Sequence, residues 1–185
     1  MVSFILNDKD NTARTLAIAA EEAIRLNAPL LVATTGGDTA VAALRVAKEK
    51  GIADRLFVIS HAFGTRAPGK NAMQEECKNE LVAAGVRIIT AAHVLSGAER
   101  AMSTKFSGVY PAEIIAQTLR MFSQGVKVAV EIAAMVLDAG AIPYGEPAVA
   151  VGGTGRGADT ATVLTPAYTA DIFATKIHEI LCKPY

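Results

Sequence analysis

Two glycine-rich stretches carry the residues whose types and spacing suit chemistry. The first, TTGGDTA at 34–40, joins an apolar run to a helical pattern. Gly36 and Gly37 lack side chains, so a ligand can come close to the backbone. A helix opening there offers free N–H groups at the positive end of its dipole. Thr34, Thr35 and Thr39 add hydroxyl donors. The composition suits an anion-binding turn, and equally a tight strand–helix turn capped by Asp38 or Thr39. The second stretch, GGTGRGADT at 152–160, sets Gly152, Gly153, Gly155 and Gly157 around Arg156. Arginine presents a fork that matches phosphate or carboxylate. The plainer reading is a glycine-rich reversal with a solvated arginine, in which Asp159 organises the loop. Neither stretch satisfies GxGxxG, or GxxxxGK followed by Ser or Thr, so neither is a dinucleotide or P-loop site by motif.

A third segment, SHAFGTRAPGK at 60–70, holds His61 just past the end of an apolar run. There it can donate to a ligand or exchange a proton. Gly64, Arg66 and Lys70 follow in a Gly/Pro-rich loop suited to covering a site, or to being an ordinary charged surface. Glu131 interrupts an apolar helical run and needs a partner if buried. Lys127, one turn earlier, is the modest candidate, and a ligand hydroxyl or ring N–H the bolder one. His93 and His178 have no evident company. No His, Cys and carboxylate set shows metal-ligand spacing, and no GxSxG-type nucleophile motif occurs.

These segments need elements to position them. Short apolar runs alternate with helical patterns, the signature of a parallel α/β sheet. After a short strand at 2–6, the pattern predicts a helix from Thr12 to Leu26. Strands follow at 29–35, 55–60, 86–90, 147–153 and 160–166, with helices at 39–50 and 73–84 between the first three. The crossover from 91 to 146 reads as helical. Ser96 and Glu99 have capping-box spacing, Pro111 suits a first helical position, and a break or weak point is expected at Gly125. A closing helix is expected over 171–181. Numbering the five main strands from 29–35, the order 3-2-1-4-5 brings the two glycine loops side by side where the winding reverses. Ligands bind at that switch point in open α/β sheets.

Composition narrows the partners. The 185 residues carry 18 basic and 18 acidic side chains, for a net charge of zero, and 51% are hydrophobic. One domain over 1–185 is the expectation. With no basic block, nucleic acid is an unexpected partner. No apolar run approaches the roughly 20 residues of a membrane span, and the N-terminus lacks a signal-peptide pattern. Cys77 and Cys182 read as reduced and packed, which suits a cytoplasmic protein. The all-round apolar helix at 126–137 suggests self-association, with a second copy providing further cover.

The combination of TTGGDTA, GTRAPGK, LSGAERAMSTKFSGV, GVKVAVEIAAMVLDAGAIP and AVGGTGRGADTA resembles the stand-alone proteins related to the pyruvate kinase C-terminal (alpha/beta) domain. The resemblance covers nearly the whole chain. It implies a three-layer α/β/α fold with a mostly parallel sheet and an antiparallel last strand. In allosteric pyruvate kinases a T-S-G-x-T loop grips a sugar-bisphosphate phosphate. Thr35, Gly37 and Thr39 match it, whereas Gly36 replaces the serine and Asp38 adds a negative charge, both against that ligand. The sequence holds no catalytic barrel, so the kinase reaction is not expected. What the resemblance implies instead is flavin mononucleotide (FMN), with phosphate on 34–39, the 152–157 loop over ribityl or ring, and polar contacts from His61, Arg66 and Glu131. Phe63 and Tyr110 are the candidate rings for flavin stacking. The alternatives are a sensor of a phosphosugar or similar metabolite, and a small enzyme acting on a phosphorylated substrate.

Overall fold

The computed structural model describes residues 1–5, 8 and 11–185. Its centre is a set of short, apolar runs, β2 (Leu30–Thr34), β3 (Leu56–His61) and β5 (Ala148–Gly152), with β4 (Arg87–Ala91) on the edge beside β3. Successive side chains on a strand point to opposite faces, so a strand covered on both sides must be apolar throughout. Leu30, Val32, Val58, Val149 and Val151 pack on the alanine-rich faces of α1 (Asn11–Leu26) and α2 (Asp38–Glu49). Leu31, Phe57, Ile59 and Ala150 pack on the opposite side, against α6 (Gln124–Asp138). Two helical layers on one sheet give the expected three-layer α/β/α architecture. No helix among the described residues is long and apolar enough to cross a membrane.

Adding β1 (Val2–Phe4), β6 (Thr160–Thr165) and β7 (Lys176–Pro184), the sheet runs β1-β7-β6-β5-β2-β3-β4. The expected 3-2-1-4-5 order is its middle and one edge. The strand pairs β2–β3, β3–β4 and β2–β5 are parallel, and β6 turns back antiparallel on β5. Of the expected strand over 2–6, Leu6 lies outside the described residues. Helix α3 (Glu75–Ala83) follows the loop after β3 and presses Leu81 into the α1/α2 side.

The C-terminal helix expected over 171–181 is absent. Residues Thr169–Ala174 form a short 3-10 turn and β7 follows, antiparallel to β6 and parallel to β1. Ile177, Ile180 and Leu181 fit a helical period. However, the open edge of β6 presents a row of unpaired backbone groups, and β7 satisfies them. The antiparallel fifth strand is therefore not the last.

The crossover is three helices: α4 (Gly97–Phe106), α5 (Pro111–Arg120) and α6. Pro111 opens α5 as expected. The capping box does not form. Ser96 makes no side-chain cap, and Glu99 accepts instead from the Ala112 amide at 2.8 Å, tying α4 to the start of α5. The helix break falls at 121–123, with Ser123 capping α6 by accepting from the Val126 amide, so Gly125 lies inside the first turn of α6. Its role is close approach. A Cβ there would stand 2.2 Å from Thr160 Oγ1, and one on Gly152 would stand 2.5 Å from the Gly125 carbonyl oxygen. These two glycines seat the N-terminus of α6 on the ends of β5 and β6. Residues 126–137 are covered by the sheet, by Leu119 of α5 and by Ile172, with only Val128 partly open. This helix therefore supplies no reason for a second copy.

Gly152→Ala is expected to cost about 1–3 kcal/mol, because the atom it meets is backbone and cannot rotate away. Gly97→Ala, with nothing near its Cβ, should stay within about 0.5 kcal/mol. Urea unfolding of the two variants checks the contrast.

Candidate functional site

The carboxyl ends of β2, β3 and β5 open into a cavity of about 730 Å³, within the usual range for small-molecule sites of roughly 300–1,000 Å³. Thr34, Thr35, Gly36 and Thr39 line it from the β2–α2 turn, Gly153, Arg156 and Gly157 from the β5–β6 loop, His61 and Arg66 from the end of β3 and its loop, and Glu131 from α6. The two loops expected to face one another therefore do so. Gly37, Gly64 and Gly152 do not line the cavity. Gly152 serves α6, and exposed Gly64 occupies a left-handed turn at φ 81°.

Most loop glycines answer to the chain's own packing. A Cβ on Gly37 would stand 2.4 Å from Cys77 Cβ, one on Gly153 2.4 Å from the Gly157 carbonyl oxygen, and one on Gly157 2.1 Å from Thr12 Oγ1. Gly37 also spends its N–H on Thr34 Oγ1, at 3.1 Å, so Thr34 closes the turn. Gly36 is different. A Cβ there has 3.6 Å of clearance, and its φ is not left-handed, so the chain itself does not demand glycine. Asp159 organises the second loop, accepting from the Thr154 amide at 3.0 Å and from Thr160 Oγ1 at 2.7 Å.

What remains facing the cavity includes unpaired backbone donors and several cationic side chains. Helix α2 starts at Asp38, and the Asp38, Thr39 and Ala40 amides find no acceptor among the described residues. Helix starts leave these donors free by construction. The guanidinium groups of Arg66, Arg100 and Arg156 line the cavity without an ion-pair or hydrogen-bond partner among the described residues. Arg120 lines it with Nε donating to Gln124 Oε1 at 2.6 Å. Asp38 adds a carboxylate to the lining, exposed at the helix start where the dipole favours it. Ala33 and Ile59 of the sheet and Val128, Ile132 and Met135 of α6 add an apolar part to the lining.

At the floor of the cavity lies a chain of polar contacts. Glu131 is 1% exposed. Its Oε1 accepts from the Leu95 amide at 3.1 Å and its Oε2 from Lys127 Nζ at 2.5 Å. The modest partner is thus the one present. His93 Nδ1 stands 3.4 Å from Glu131 Oε2, and the His93 ring stacks on His61 with centroids 4.6 Å apart. His61 Nε2 is 3.0 Å from Thr35 Oγ1. So His93 does have company. The signal was available: His61 ends β3 and pairs with Ala91 of β4, so His93 lies just past the same level on the adjacent parallel strand. His178 is remote, paired with Thr165 at 2.8 Å. Burial lowers the pKa of His61 first, and the neighbouring His93 lowers it further. Burial likewise lowers His93, against the opposing pull of Glu131. Lys127 is also lowered by burial, with Glu131 opposing.

Neither Phe63 nor Tyr110 lines the cavity, and Phe63 is exposed. The flat surfaces present are the two imidazoles. Both cysteines are free, with burial raising each thiol. No cluster of metal-ligating side chains occurs among the described residues. The family model for the pyruvate kinase alpha/beta domain matches residues 13–164, most of the chain, and the protein belongs to that family.

Removing one partner of a buried ion pair leaves the other uncompensated, so Lys127→Met should destabilise by about 3–5 kcal/mol. Lys127→Met with Glu131→Leu should recover most of that, as chemical denaturation of single and double variants would read. The two lowered histidines bind fewer protons folded than unfolded. Stability is therefore full above the ordinary histidine pKa of about 6.5 and falls as pH drops below it. Melting temperatures between about pH 7.5 and 5.5 check this, and His93→Gln should flatten the slope.

Proposed function

We propose that the cavity binds a phosphate-bearing small molecule with a flat, largely apolar body, FMN first. The observation that carries this reading is the junction of two environments. One cavity is lined both by donors suited to an anion, the free amides of α2, Thr35, Thr39, Arg66 and Arg156, and by the apolar side chains of Ala33, Ile59, Val128, Ile132 and Met135. A phosphate on the first set would leave a ring to lie against the second. His61, His93 and Lys127 would then meet polar atoms on the ring's edge. Residues of this kind fit FMN, although no phenyl or indole ring is there to stack on it. Gly36 gives the phosphate backbone access that the chain's own packing does not require. The flavin, if bound, would supply redox chemistry, and the lining residues would bind and orient it and exclude water.

A second reading, a sensor of a phosphosugar or similar metabolite, is favoured by one observation. Cations crowd the lining, with Arg66, Arg100, Arg120 and Arg156 facing one cavity, and that suits a ligand more polar than a flavin. Glycine in place of serine and the Asp38 carboxylate weigh against a sugar bisphosphate on the α2 turn.

The visible absorption spectrum of the purified protein, followed by FMN titration read by flavin fluorescence, tests the first reading. Saturable quenching is expected. Arg156→Gln should weaken binding roughly 10–100-fold, the scale of one charge-assisted hydrogen bond, with a smaller loss for Thr39→Val. No colour and no quenching would remove FMN. A thermal shift with sugar phosphates would then favour the second reading.

A further inference from the structure

The floor of the cavity holds more ionisable chemistry than gripping a phosphate requires. Two imidazoles stack at 4.6 Å, one beside the buried Glu131 carboxylate and the other in contact with Thr35 on the anion-receptive turn. Two imidazolium charges at that separation repel strongly, so the pair accommodates a single proton. The groups that face it are Glu131 and Lys127 from α6, Arg100 from α4 and Arg66 from the loop after β3. Burial opposes protonation most, the positive charges of Lys127, Arg66 and Arg100 add to it, and Glu131 pulls the other way. An entering oxyanion reverses that balance. It offsets the arginines, and a protonated ring gives it a charged donor where a neutral ring gives only a neutral one.

We propose that the stacked His61–His93 pair is an anion-accepting subsite that takes up one proton when a phosphate-, carboxylate- or sulfate-like oxyanion enters the cavity. The assignment rests on the preceding reading of the cavity as an anion site, and adds that its occupant is held together with a proton. No bond is made or broken: the proton passes from solvent to an imidazole nitrogen. Binding and protonation are then reciprocally coupled. Oxyanion affinity falls with rising pH, and an oxyanion makes the pair harder to deprotonate.

Sulfate is the probe of choice, because it does not titrate near neutrality and any proton taken up must come to the protein. Calorimetry in buffers of different ionisation heat, at ionic strength held constant with chloride, should show uptake approaching one proton per sulfate. Affinity should fall by about tenfold per pH unit where that uptake is complete. Imidazole nitrogen NMR of the unmutated protein gives a second readout. Sulfate should move the His61 and His93 titrations to higher pH and leave His178 in place. Arg156→Gln should weaken sulfate binding while keeping the uptake, and His61→Gln with His93→Gln should abolish the uptake while retaining residual binding. Sulfate binding without proton uptake, with both titrations unmoved, would overturn the subsite alone. No sulfate binding at all would overturn the anion reading of the cavity and the subsite with it.

Discussion

The seat of α6 on the sheet is the constraint on which the site depends. Gly125 and Gly152 let the first turn of that helix approach the ends of β5 and β6 to within distances that any side chain would block. Ser123 caps the helix and also contacts Thr160 at 3.2 Å, and Thr160 donates to Asp159, which holds the β5–β6 loop. One contact thus fixes three things together: the depth of α6, the direction of β6, and the shape of the loop carrying Arg156. Were α6 lifted outward, Lys127 and Glu131 would leave the cavity and its contacts with the sheet would be lost.

The second consequence is electrostatic. Seating α6 so low buries a carboxylate and an ammonium that would otherwise be solvated. Each charge loses hydration, and the pair persists because every demanding atom finds a partner: Lys127 for one oxygen, the Leu95 amide for the other. The pair lies beside the His93 ring, which stacks on His61, and lines the same cavity as Arg66, Arg100, Arg120 and Arg156.

Much of the fold was legible because its signals are local. The runs at 30–34, 56–61 and 148–152 are largely apolar on both faces, as strands covered on both sides require, and GGTGRGADT between two such runs marked the reversal at β6. The strand order then placed the two loops together. The failures share another cause. Residues 171–181 carry a helical period, yet the unpaired edge of β6 outweighed it. Ser96 and Glu99 have capping-box spacing, but Glu99 found a nearer amide once α5 folded beside α4. Glycines read as openings for a ligand were mostly openings for Cys77, Thr12 and neighbouring backbone, which sequence spacing cannot distinguish. His93 was legible in part: the pairing of β3 with β4 sets it near His61, whereas its contact with Glu131 comes from α6, which local spacing does not show.

Occupation of the switch-point cavity by a phosphate-bearing molecule is best read by amide NMR of the isotopically labelled protein titrated with FMN. Perturbed amides are expected to concentrate at 34–40, 61–66 and 153–157, with a further set along the cavity face of α6. Perturbations confined to other surfaces, or none at saturating FMN, would contradict it.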